Sequence, residues 1–170
     1  MQHYLEGERL FVEFFRKFAR LEYALKRAGF LENHQNTVKV DWNTFADSIR
    51  PQFERALQSN ESLKVAVEFI ESEPPRKLVL SPNSHGSPVC WRTTPASQGE
   101  RLRDLLVYIR RIRNNLFHGE KPHIVMGGTD HRNNRDSDLL RSGLVVLDVL
   151  VTLDGRIQRF VENGSNTPRC

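Results

Sequence analysis

The feature that most constrains this chain is a spacing. Five segments carry apolar residues three and four apart, and prolines, glycines and polar stretches separate them. That period belongs to helices with one buried face and does not suit strands, whose alternation is two. The first segment runs from Gly7 to Gly29, with Leu10, Phe11, Phe14, Phe15, Phe18, Leu21 and Leu25 in phase. Gly29 after Lys26 and Arg27 is a C-terminal stop signal. The second, 41–60, sets Trp42, Phe45, Ile49, Phe53 and Leu57 in phase around Pro51, so it reads as a kinked helix or as two short ones. The third, 61–73, carries Leu63, Val67 and Ile70 and stops at Pro74-Pro75. The fourth is 101–118. The fifth, 137–161, follows a cap at Asp136 or Ser137.

Between the third and fourth segments, residues 74–99 hold five of the eight prolines. This stretch reads as a long Pro-rich loop inserted into the domain, in which 78–80 (LVL) and 89–91 (VCW) can pair as a small hairpin. The residues 31–40 and 119–135 read as polar connections, and 163–170 as a flexible tail. With 170 residues, the expectation is one all-α domain, 1–170, built as a compact bundle of four to five helices. A chain of this length buries a core without help from disulfides or metal. Its two cysteines, Cys90 and Cys170, form no framework, so a reducing cytoplasm is the expected compartment. There is no signal-peptide pattern and no apolar run near the ~20 residues of a membrane span. A net charge of +4 is compatible with a nucleic-acid partner and does not establish one.

One residue breaks the periodic pattern. On a wheel of about 100° per residue, Leu102, Leu105, Leu106, Ile109, Ile112, Leu116 and Phe117 fall within an arc of roughly 140°. Arg113 falls inside that arc, whereas Arg103, Arg110 and Arg111 fall outside it, where solvated charges belong. An arginine on an apolar face keeps its proton and needs an anion or a wet interface. Two partners of opposite kind are open: a carboxylate of the same chain, Glu22 or Asp154, or a phosphate in a cleft or subunit interface.

His118 follows five residues later, with Gly119 as the helix stop and Pro122 just beyond. On an unbroken helix it would sit roughly 140° from Arg113. As the last helical residue, its ring can swing toward the arginine. The helix C-terminus favours imidazolium, and a histidine there can work as acid or base near neutral pH or simply cap the helix. Asn114 can orient the histidine or donate to a phosphate oxygen. Lys121, Arg132 and Arg135 can add positive charge from the loop that follows.

Arg113-Asn114-Asn115-Leu116-Phe117-His118, set near a helix end in a small helical bundle, resembles the Arg-x(4–6)-His motif of the HEPN superfamily. The aromatic-rich first helix (FFRKFARLEYALKRAGF) and the segment RDSDLLRSGLVVLDVLV resemble the helices that flank it, so the likeness covers most of the chain except 74–99. The resemblance implies a homodimer with paired motif helices, and metal-independent endoribonuclease activity of a toxin or phage-defence effector. It implies catalytic roles for Arg113, His118 and Asn114 and RNA binding by Lys121, Arg132 and Arg135. It brings no cofactor and no metal, and it allows an antitoxin or defence-system partner. The same superfamily contains inactive members that dimerise or bind RNA, which is the alternative expectation. Where the toxin subgroup has tyrosine two residues after the histidine, this chain has Glu120. No phosphate-cradling glycine loop or serine-nucleophile elbow is present, and His118, His123 and His131 have no acidic or cysteine companion at a zinc-ligand spacing.

Overall fold

The computed structural model describes residues 2–34, 37–81, 89–117 and 131–162. Among them are six helices and two β-hairpins, so the chain is mostly helical but not purely so. The elements are α1 (Gln2–Arg27), β1 (Leu31–His34), β2 (Thr37–Val40), α2 (Trp42–Ser59), α3 (Glu61–Ser72), β3 (Lys77–Leu80), β4 (Val89–Arg92), α4 (Arg101–Phe117), α5 (His131–Thr152) and α6 (Gly155–Glu162). None of these helices is long and apolar enough to cross a membrane.

α1 buries Phe14, Phe18, Leu21, Ala24 and Leu25. It ends where the glycine signal places it. Gly29 adopts φ +90°, its N–H donates to Lys26 O, and Phe30 N–H donates to Leu25 O at 3.0 Å. This pair of bonds is a Schellman closure, which satisfies the last carbonyls and lets a residue with no Cβ take the left-handed turn. Phe30 then enters the core, and the chain continues directly into the β1–β2 hairpin, with Leu31 opposite Val40 and Glu32 opposite Lys39. A polar connection was the expectation for this stretch. Val40 is the buried residue of β2, whose other three residues are exposed, so a single apolar anchor seats this strand.

α2 is one continuous helix through Pro51, not two. Asp41 caps it: the side chain accepts from the Thr44 backbone N–H at 2.9 Å and from the Thr44 hydroxyl at 2.7 Å. Asn60 closes α2 and opens α3, donating its N–H to Ala56 O and accepting from Leu63 N–H. The Pro-rich segment is not structureless. It contains the β3–β4 hairpin, in which Leu78 pairs with Trp91 and Val79 with Cys90. The following turn is tied onto α4: Ala96 N–H donates to the Tyr108 hydroxyl and Gln98 N–H to Asp104. Glu100 caps α4, its two carboxylate oxygens accepting from Leu102 N–H and Arg103 N–H.

The fifth periodic segment divides. α5 stops at Thr152, and Asp154 restarts the chain as α6 by accepting from Arg156 N–H at 2.8 Å. α5 packs against both α1 and α3, α6 returns onto α1, and α4 lies against α2, α3 and α1. At the α1–α5 crossing, Gly143 faces the ring of Phe14 so closely that a Cβ there would stand 2.6 Å from Phe14 Cε2. One continuous core joins all of these helices, and α4 contributes Leu102, Leu105, Leu106, Tyr108, Ile109 and Ile112 to it.

Candidate functional site

The position of Arg113 follows from how α4 is packed. Ile109 and Ile112 are buried, which turns the adjoining flank of the helix toward α1 and the β1–β2 hairpin. On that flank stand Arg103, Arg110, Arg113 and Asn114, and they line an open cleft of about 680 Å³. The opposite wall is Phe18, Glu22 and Lys26 of α1, Lys39 of β2, and Asp41 and Trp42 at the start of α2.

The Arg113 side chain is about one-third exposed (35%). Its guanidinium carbon lies 5.3 Å from the centroid of the Phe18 ring, so its apolar stem and flat face rest on α1. Nη1 donates to Asn114 Oδ1 at 2.9 Å. Nη2 reaches Glu22 Oε2 at 3.5 Å, and the same carboxylate also meets Lys26 Nζ at 3.4 Å. Of the two in-chain carboxylates left open by the sequence, Glu22 is therefore the one beside Arg113. Asp154 is engaged elsewhere, with Arg156 at 2.7 Å, and this contact holds its carboxyl below the usual range.

Two cleft residues were not expected from the sequence. Arg110, one turn before Arg113, stacks its guanidinium over Trp42 at 5.7 Å. Trp42 stacks in turn on Phe18 at 5.7 Å. Phe18 and Trp42 thus form a two-ring platform with Arg113 on one ring and Arg110 on the other. Crowding by the cleft lowers the pKa of Arg110 from its ordinary value; Glu22 and Glu32 oppose the shift and Arg113 adds to it. Its side chain nevertheless retains substantial solvent exposure, and an arginine so placed remains a cation.

Two carboxylates of the cleft, Asp47 and Asp41, are held within the chain. Asp47 is held by Arg103 through two bonds, 2.5 and 3.2 Å long, and also by Arg50. These guanidiniums keep its carboxyl below the ordinary value, the Arg103 hydrogen bond contributing most. The Asp41 carboxyl is likewise lowered, chiefly by the Thr44 backbone N–H it caps.

The remaining expected site residues separate. Asn114 joins Arg113 in the cleft. His118 and Lys121 lie outside the described residues, as does the proposed helix stop at Gly119. Arg132 falls in the first turn of α5, and its side chain is outside what the structure describes. Arg135 corrects an expectation. It stands in α5 and not in a loop, and it binds Glu73 Oε2 (2.9 Å), Glu73 O (3.1 Å) and Pro74 O (2.7 Å). With 22% of its side chain exposed, it clamps the end of α3 and takes no part in lining the Arg113 cleft.

Among the described residues, no group of three His, Cys, Asp or Glu side chains is placed to hold a metal ion. What the cleft offers is planar cations on aromatic supports at an open surface, a chemistry suited to binding and neutralising an oxyanion. The chain matches no protein-family model, no curated protein and no solved structure.

Proposed function

We propose that this chain is a HEPN-type, metal-independent endoribonuclease that acts as a homodimer, a toxin or phage-defence effector in kind. The observation that carries the reading is the setting of Arg113. The arginine that interrupts the apolar stripe is seated on Phe18 at the wall of an open cleft, beside a second arginine and its own neighbour Asn114. An arginine needed only for folding gains nothing from a second cation one turn away. A phosphate site does, because developing negative charge in the transition state is stabilised by donors already in place.

In this reading His118 removes the proton of a ribose 2′-hydroxyl, and the 2′-oxygen attacks the adjacent phosphorus. The bond to the 5′-oxygen breaks, and that oxygen takes a proton from His118 of the second protomer. The products are a 2′,3′-cyclic phosphate and a free 5′-hydroxyl. Arg113 neutralises the non-bridging oxygens of the pentavalent transition state. The chemistry needs the 2′-hydroxyl, so DNA is not a substrate.

The Glu22 contact favours a second reading, a catalytically inactive HEPN-like module that dimerises or binds RNA, with Arg113 as an in-chain ion pair. RNA cleavage assays decide between them. Cleavage that persists in EDTA, leaves cyclic phosphate ends, and disappears with His118→Ala and with Arg113→Ala is the expected result. Cutting of a strand that is 2′-deoxy at the scissile position would rule out the mechanism. Absence of cleavage by the wild-type dimer would leave the module.

A further inference from the structure

Among the described residues, Arg110 is a cleft cation that no carboxylate of the chain meets at ion-pair distance. Asp47 is taken by Arg103 and Arg50, Asp41 by the start of α2, and Glu22 by Lys26 and Arg113. Glu32 stands directly across the hairpin from Lys39, a cross-strand pair of opposite charge. Arg110 has no carboxylate within ion-pair distance among the described residues, and its contact is the face of Trp42. The contact with the ring restricts the side chain, so less freedom is left to lose when an anion arrives.

The distance from Arg113 sets what kind of anion fits. Residues three apart on a helix have Cβ atoms roughly 5–6 Å from each other. Their side chains therefore leave α4 one turn apart on the cleft side, where each can meet its own phosphate of a strand laid along the helix. Each guanidinium has its own ring, Arg113 the Phe18 face and Arg110 the Trp42 face, and the two ring centroids stand 5.7 Å apart.

We infer that Arg110, held on Trp42, is a second phosphate subsite, which takes the phosphodiester next to the one at Arg113 in a single-stranded RNA. The inference rests on the ribonuclease reading for the identity of the strand, and it adds a path: the RNA lies along α4, past Arg113 and Arg110. Its role is binding and register, not the chemical step.

The test is the salt dependence of RNA binding. A fluorescein-labelled oligouridylate is titrated with protein carrying His118→Ala, so that cleavage does not interfere. Adding Arg110→Ala is expected to weaken binding about tenfold at low salt. It should also make the slope of log affinity against log salt shallower by about 0.7, the value for one lost contact to a single strand. Arg110→Lys should keep the slope and lose part of the affinity, because charge survives without the flat fork. Arg55→Ala, an exposed arginine of α2 outside the cleft, makes the same change in net charge and should leave both quantities as they were.

An unchanged slope with Arg110→Ala, or an equal loss with Arg55→Ala, overturns the subsite; so does a protein that does not bind the strand. A thermal melt of Arg110→Ala that matches its parent excludes misfolding as the cause of a loss, and if the melt is lowered, the Arg110→Lys slope decides. The outcome separates from the ribonuclease reading. Cleavage by the otherwise unmodified chain with no Arg110 effect removes the subsite alone. An Arg110-dependent slope without any cleavage removes the nuclease alone.

Discussion

Replacing Glu22 by glutamine asks which anion Arg113 is built to meet. The substitution keeps the shape of the side chain and removes its charge. In the folded chain that charge lies 3.5 Å from Arg113 and 3.4 Å from Lys26, and both pairs are partly open to water, with 27% of the Glu22 side chain exposed. Exposed pairs of this kind are worth about 0–1 kcal/mol, and the Lys26 pair, at helical i,i+4 spacing, about 0.3–0.5 kcal/mol. Glu22→Gln should therefore destabilise the fold by no more than about 1 kcal/mol, measured as a small shift in the urea midpoint at unchanged slope. The effect on a bound phosphate has the opposite sign. A carboxylate about 4 Å from an incoming phosphate costs about 1 kcal/mol at the dielectric of water, and more in a partly desolvated cleft. Its removal should tighten RNA binding by about fivefold or more. The assay is the labelled-oligouridylate titration, in a His118→Ala background, at low and at high salt. If RNA affinity is unchanged while the fold loses 2 kcal/mol or more, Arg113 exists for its carboxylate and the reasoning is refuted.

Further expectations concern the scaffold. Gly143→Ala should lower stability by about 1–2 kcal/mol: the added methyl lies 2.6 Å from the fully buried Phe14 ring, and an overpacking cost of about 1–3 kcal/mol exceeds the helix-propensity gain of up to about 1 kcal/mol. A urea midpoint higher than wild type would show that Phe14 can move aside. Arg135→Ala should cost about 1–3 kcal/mol by releasing Glu73 and Pro74 O, and leave RNA affinity unchanged, as a titration and a melt on the same sample would show. Asp41→Ala should cost about 1 kcal/mol at pH 7 through loss of the α2 cap. Because the Asp41 carboxyl is depressed in the folded chain, its contribution is complete above the unfolded carboxylate value of about 3.9 and is lost as pH falls through the lower, folded value. The stability difference between wild type and Asp41→Ala should thus be constant from pH 7 to about 5 and shrink below about 4.

The helices were legible because their core faces are periodic, and the stops were legible where chemistry dictates them, as at Gly29. The departures have local causes. Pro51 does not divide α2, since the apolar positions on either side of it, Ile49 and Phe53, bury into the same core. The segment 137–161 does divide, because Asp154-Gly155 can cap a new helix, a signal that the unbroken apolar phase conceals. The β1–β2 ribbon carries almost no apolar alternation; it is held by backbone pairing and Val40. In the cleft, the wheel singled out Arg113 correctly as an anomaly of the apolar arc. It placed Arg110, about 20° beyond the edge of the arc, among solvated charges; the residue is exposed, and what the wheel leaves out is its contact with Trp42. An edge position on a helix faces whatever packs alongside it, and here that is Trp42, brought there by the α1 closure and the hairpin. A tryptophan at the first position of α2 is the signal that could have drawn attention to the partner cation.

The choice between carboxylate and phosphate for Arg113 is not a choice between two directions of one side chain. In this fold the same guanidinium rests on Phe18, meets Glu22 at 3.5 Å and lines the open cleft. The decisive quantity is then the strength of the in-chain contact against that of its competitor. A partly exposed pair at 3.5 Å, the outer limit of a hydrogen bond, contributes about 0–1 kcal/mol, whereas a shorter, well-aligned hydrogen bond to a charged group contributes about 1.5–3 kcal/mol. A phosphate that adds a second contact at Arg110 gains over Glu22 by more than either term alone, since Glu22 does not reach Arg110 within ion-pair distance. On the ribonuclease reading Glu22 is then a weak placeholder for the phosphate, and an in-chain bridge this weak is compatible with that reading.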